Sequence, residues 1–237
     1  MTAGANIEVS HAFVLTSEDA EKLWAILSEF FEEVEASARC DDGVRREFHA
    51  RDELAKYENP RTKAIRSLSF EARRAKPYSR VTLQFGGRYS SSVEVGISGP
   101  EETVLAVRER ISELLDGMRP WYSLISRVDF FFVVSGVAFF AWLVLQGMST
   151  GSASGKAMTF SQASVAAILL IAILCGVGLL IWISNRLRNR YFPTAAFAIG
   201  QGQRRFEVDE KIRWAVIIGF GVSLFASLVA AFLLPTA

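Results

Sequence analysis

Apolar and polar positions alternate at the start of the chain, with Ile7, Val9, His11, Phe13 and Leu15 on one side and Glu8, Ser10 and Ala12 on the other. A period of two marks a half-buried strand, so residues 7–16 are expected to form one, with His11 on its inward face. The period then changes. Leu23, Trp24, Ile26, Leu27, Phe30, Phe31 and Val34 recur at helical spacing. Thr16, with Asp19 three residues on, supplies an N-terminal cap for that helix. Asp42-Gly43 reads as a hairpin turn between 34–40 and 44–49, and a short helix over 51–58 stops at Asn59-Pro60. Alternation returns in 65–73, 80–85 and 90–97, where Phe70, Leu83 and Val95 typify the inward positions. Pro100, Glu101 and Glu102 suit the first turn of a second long helix, which buries Val104, Leu105, Val107, Ile111, Leu114 and Leu115.

Residues 1–119 are therefore expected to form an α+β domain, an antiparallel sheet covered on one face by two long helices. The other face, rich in Ser, Thr, Gln and Arg, is left toward water or a partner. The outline resembles helix-grip and TATA-box-binding-like topologies, and an outline carries no function by itself.

Beyond residue 128 the periodicity gives way to long apolar runs. A hydrocarbon core of about 30 Å needs roughly 20 apolar residues in a helix. Stretches near 128–148, 163–184 and 213–234 meet that length, so residues 120–237 are expected to be an all-α bundle of three transmembrane helices. The cations set an orientation. The first connector holds only Lys156, whereas the second, 185–212, holds Arg186, Arg188, Arg190, Arg204, Arg205 and Lys211. The N-terminal domain and second connector are thus expected in the cytoplasm, and the first connector and C-terminus on the opposite side of a cell membrane. Trp121, Tyr122, Trp182, Tyr191 and Trp214 fall at the expected cytoplasmic interface, and Trp142 near the other.

Charge and rare residues remove several classes of function. The 26 Lys and Arg nearly balance 25 Asp and Glu, which gives no argument for nucleic acid, and none is expected as a partner. Two histidines, His11 and His49, and two distant cysteines, Cys40 and Cys175, give no metal-site spacing and no disulfide. No cofactor motif is present either. Asp41 and Asp42 read as turn residues beside Gly43, and Asp129 as one half of a boundary ion pair. Gly200-Gln201-Gly202 lacks the third glycine of a phosphate loop and reads as a tight turn. With no catalytic constellation, the chain is not expected to be an enzyme.

Two further patterns bear on partners. Ala215, Gly219, Ser223, Ser227 and Ala231 recur every four residues, a stripe suited to close helix packing and to a homo-oligomer. In the second connector Arg186, Arg188, Arg190, Arg204 and Arg205 flank Tyr191, Phe192 and Phe197. That segment is expected to contact anionic lipid, or to fold as a hairpin of 194–200 and 203–208 on the N-terminal domain. The combined reading is a multi-pass membrane protein that presents a cytoplasmic binding or sensing domain for a protein or small-molecule ligand. A membrane effector or channel-like assembly is the alternative, and an enzyme acting on a membrane-associated substrate a second one.

Overall fold

The computed structural model describes residues 2–86, 92–129, 131–132, 134–136, 139 and 160–233, with side chains described over 175–227 of the last stretch. The chain divides into two compact units, Met1–Leu124 with Pro193–Ala237, and Ile125–Phe192.

The first unit is built on six antiparallel strands in the order β1-β7-β6-β5-β3-β4. These are β1 (Thr2–Val9), β3 (Glu33–Cys40), β4 (Arg45–Phe48), β5 (Ile65–Arg74), β6 (Ser79–Phe85) and β7 (Val93–Pro100). Period-two patterning drives each of them. On β6 the inward set is Ser79, Val81, Leu83 and Phe85, all buried, and the residues between them are exposed. Two helices cover that apolar face, α1 (Ser17–Phe30) and α3 (Glu101–Gly117). α1 buries Ala20, Leu23, Trp24 and Leu27, and α3 buries Val104, Val107, Ile111 and Leu115. The start of α1 is a capping box, in which the Asp19 N–H donates to Thr16 Oγ1 at 3.1 Å and the Thr16 N–H donates back to the Asp19 carboxylate at 3.3 Å.

The expected single strand over 7–16 is two strands. The chain bends at Ser10–Ala12, and β2 (Phe13–Thr16) leaves the main sheet. His11 consequently sits half-buried in the bend rather than on a strand, its Nδ1 2.8 Å from the Ala12 carbonyl. β2 instead pairs in parallel with β8 (Ala195–Ala198), Phe13 opposite Ala195 and Thr16 opposite Ala198. On its other edge the Val14 N–H donates to the Met118 carbonyl at 2.9 Å. The first arm of the expected hairpin, 194–200, therefore holds a strand of the N-terminal domain. The second arm, 203–208, is instead part of the beginning of a helix. A chain of edge-on aromatic pairs binds these parts: Trp24 to Phe70 at 6.2 Å, Phe70 to Phe85 at 6.2 Å, Phe85 to Phe13 at 5.4 Å and Phe13 to Phe197 at 5.7 Å.

The remaining helices are short α2 (Arg51–Ala55) and α4 (Ser123–Arg127), and two long ones, α5 (Phe160–Tyr191) and α6 (Gln201–Leu233). Among the described residues no helix is long and apolar enough to cross a membrane. This corrects the three-span bundle, and with it the multi-pass cell-membrane placement, its orientation and the membrane-based functions expected from it. The physical reason is that both long helices are composite. The described side chains of α5 are apolar from Cys175 to Ile183 and then give way to Asn185, Arg186, Arg188, Asn189 and Arg190. α6 opens with Arg204, Arg205, Glu207, Asp209, Glu210, Lys211 and Arg213. Its apolar part begins only at Trp214, after that charged opening. Most of 128–148, including Trp142, and the connector around Lys156 lie outside the described residues, as do the side chains of 163–174 and 228–234.

Candidate functional site

Because α1 and α3 both pack on one side of the six-stranded sheet, its other side is open. Strand register arranges that open face in cross-strand rows. In the first row Arg45 stands opposite Arg39, and Arg39 opposite Ser67. In the second, Glu47, Ser37, Ser69, Gln84, Glu94 and Glu8 follow one another across the strands. The third runs Glu35, Glu71, Thr82, Gly96 and Asn6, and the fourth Glu33, Arg73, Arg80, Ser98 and Gly4. Side chains at i and i+2 share a face, so the whole carpet is polar.

Its centre is concave. An open hollow of about 360 Å³ lies over the second and third rows, bounded by Asn6, Glu35, Arg45, His49, Gln84 and Glu94 among others. Gly96 keeps its floor low, since a Cβ there would stand 3.1 Å from Thr82 Oγ1. The Ser37 and Ser69 hydroxyls are 2.8 Å apart at the middle of the face. A smaller hollow of about 150 Å³ adjoins it between the first and second rows, lined by Arg39, Arg45, Ser37, Ser67, Ser69 and Gln84. Three ion pairs and one histidine–carboxylate contact pattern the charge. Glu71 is clasped by Arg80 at 2.7 Å and Arg73 at 3.2 Å, Arg45 stands 3.6 Å from Glu47, and His49 lies 3.8 Å from Glu35.

A second polar cluster sits at the β3–β4 turn on the opposite side of the sheet. Arg46 makes a two-pronged contact to the Asp42 carboxylate at 3.1 and 2.6 Å, and lies 5.9 Å from the Tyr57 ring centroid. The Arg46 hydrogen bond holds Asp42 down to about 2 and raises Arg46 itself. Asp42 also accepts from the Val44 N–H at 3.0 Å, the turn role its position beside Gly43 implies. Tyr57 donates to the Lys63 carbonyl at 2.8 Å, and burial together with the neighbouring Cys40 thiol pushes it up to about 12. Asp41 pairs with Arg66.

The residues singled out for membrane and lipid contact are dispersed. Tyr122 is fully buried, beneath Arg213, whose guanidinium carbon is 4.3 Å from the Tyr122 ring centroid and 4.8 Å from that of Phe206. Trp121 and Trp214 are half-exposed and lean on each other at 5.3 Å. Arg205 donates to the Asn59 carbonyl at 2.8 Å, and Arg204 is exposed. In the second unit Trp182 is exposed with Arg186 over its ring at 5.5 Å, Tyr191 is half-buried, Arg188 donates to the Val128 carbonyl, and Arg190 is exposed. Asp129 caps the Phe131 N–H at 2.9 Å. Ala215, Gly219, Ser223 and Ser227 are exposed, and the side chain of Ala231 lies outside the described residues. Among the described residues no group of three or more potential metal ligands comes together.

Residues that sequence reasoning passed over hold the C-terminal segment to the domain. Asn59 is buried with a left-handed φ of 49°. Its side chain accepts from the Ile65 N–H at 2.9 Å and donates to the Phe197 carbonyl at 3.1 Å. The Gln201 N–H donates to the Glu58 carbonyl at 2.7 Å. Gly200 has φ 51°, and a Cβ on it would stand 2.6 Å from the Tyr57 oxygen and 2.7 Å from that of Glu58. A Cβ on Gly202 would come within 2.6 Å of Asn59 Nδ2. The two glycines read as a turn are thus a docking point, legible only as a G-x-G beside an unusual Asn-Pro. No family model, no curated protein and no solved structure matches this chain.

Proposed function

We propose that the protein is a binding module that holds a small, polar, multiply hydrogen-bonding molecule on the open face of its six-stranded sheet. The observation that carries this reading is the concavity over the second and third rows. Hydroxyl, amide, carboxylate and guanidinium groups from all six strands converge there, and its volume of about 360 Å³ falls within the usual range of small-molecule sites, roughly 300–1,000 Å³. Residues on paired strands are held by the ladder, so the donors and acceptors are positioned before a ligand arrives. Binding is favoured over catalysis because the central hydroxyls, Ser37 and Ser69, bond each other, and His49 is largely exposed.

A thermal-shift screen of water-soluble polar compounds tests this, run on the full chain and on Gln84→Trp, which fills the hollow from its floor. At least one compound should raise the melting temperature of the wild type and leave the variant unmoved. If no compound acts, or every active one shifts both proteins equally, the face is not a binding site.

A further inference from the structure

The first and fourth rows of the open face contain the same motif in two different states. Arg73 and Arg80 stand directly opposite each other on β5 and β6, and Arg39 and Arg45 do so on β3 and β4. Like charges in directly opposed positions repel. At Arg73 and Arg80 the repulsion is answered from within the chain, because the Glu71 carboxylate lies between them at 3.2 and 2.7 Å. At the other pair it is not answered in that way. Arg45 has only Glu47, at 3.6 Å and with both side chains largely exposed. Arg39 makes no ion pair and no side-chain hydrogen bond among the described residues. What lies between them instead is the hollow of about 150 Å³, floored by the hydroxyl-bearing Ser37, Ser67 and Ser69.

We propose that Arg39 and Arg45 form an oxyanion subsite that takes the carboxylate or phosphate group of the molecule bound on this face. The proposal rests on the binding role of the face. Each guanidinium presents a planar fork of N–H donors that matches carboxylate or phosphate oxygens, and the Ser67 hydroxyl beneath supplies a neutral donor for a remaining one. Glu71 provides the internal precedent, a carboxylate seated on an opposed arginine pair in the same sheet. Across from the subsite, the second and third rows present Glu8, Glu35, Glu47 and Glu94. A bound molecule would thus have its anionic end at Arg39 and Arg45 and its uncharged or cationic polar part over the acidic rows.

The test is titration of inorganic phosphate, and separately of acetate, into the full chain at constant ionic strength, followed by amide chemical shifts and by melting temperature. At least one anion should shift the Arg39, Arg45 and Ser67 amides and raise the melting temperature. Phosphate alone, or acetate alone, identifies which group the subsite takes. Arg39→Gln with Arg45→Gln should weaken that anion at least tenfold, while Arg80→Gln, at the pair already filled by Glu71, should leave its affinity within twofold. Circular dichroism and the melting temperature of the double variant without anion establish that it folds. No shift with either anion, or equal affinity in the double variant, overturns the subsite. A compound from the screen that Gln84→Trp abolishes but the double variant binds normally would overturn the subsite while leaving the face as a binding site. Anion binding lost in the double variant with no screen compound active would do the reverse.

Discussion

The side-chain amide of Asn59 donates to the backbone carbonyl of Phe197 at 3.1 Å, joining positions 138 residues apart in the chain. On its other side the same amide accepts from the Ile65 N–H at 2.9 Å, and the Asn59 carbonyl accepts from Arg205 at 2.8 Å. One buried residue therefore ties β5, β8 and α6 together. Its left-handed backbone suits asparagine better than most residues.

Asn59→Ala should remove both side-chain bonds and strand the buried Ile65 N–H and Phe197 carbonyl. Each orphaned group costs about 1–3 kcal/mol, so a loss of roughly 2–6 kcal/mol is expected by urea unfolding. Amide exchange should rise first in 195–205. An exchange pattern unchanged there would mean that the segment is held by its aromatic contacts alone.

Gly200→Ala should be costly for a different reason. The new methyl would meet two backbone carbonyls, those of Tyr57 and Glu58, neither of which can swing aside as a side chain can. The positive φ adds strain of about 1 kcal/mol or more. Limited proteolysis should open the chain near 193–200 in this variant and not in Gly219→Ala, where a Cβ meets nothing within 4 Å.

Burial pushes the Tyr122 phenol up to about 12 from its ordinary 10, with Arg213 pulling the other way. An unfolded chain loses this proton near pH 10 and the folded chain only near pH 12. The associated stability is whole below pH 10 and falls as pH rises toward 12, by about 3 kcal/mol in all. Tyr122→Phe should flatten that part of the alkaline stability curve, and a curve of unchanged slope would assign the loss elsewhere.

The acid limb depends in part on Asp42, whose carboxyl the Arg46 hydrogen bond holds at about 2 against an ordinary 3.8. Its contribution is present above pH 3.8 and disappears as pH falls toward 2, when the carboxylate protonates. Asp42→Asn should lower stability at neutral pH and make the curve between pH 4 and 2 shallower. Parallel curves for the two proteins would exclude it.

Thr16→Ala removes one side of the α1 capping box and should cost about 1 kcal/mol. Because Thr16 also ends β2, opposite Ala198, the same variant should speed exchange in β8. Thr16→Ser, which keeps the oxygen, should restore most of both.

Much of the domain is legible from local pattern alone. The alternation in β5, β6 and β7 follows from the geometry of a strand half-buried under helices, and the spacing of Leu23, Trp24 and Leu27 from a helix turned to a core. The hairpin at Asp42-Gly43 and the cap at Thr16 depend on residues within a few positions of each other, so sequence carries them. The register of the open face is different. That Arg39 faces Arg45, and that Arg73 and Arg80 share Glu71, depends on how strands separated by turns and helices align, which no single strand encodes.

The sequence by itself determined an antiparallel sheet with two helices on one side, because hydrophobic periods of two and of 3.6 act over neighbouring residues. Tertiary structure decided the rest. Apolar length marked three stretches as bilayer-crossing helices, but length does not reveal that the start of α6 is folded onto Tyr57–Asn59, or that β8 is claimed by the free edge of β2. Those are long-range pairings, set by which backbone groups are still unsatisfied once the main sheet has closed. They turn an apparent connector into part of the domain, and they leave the polar face of the sheet, with its opposed arginines, uncovered.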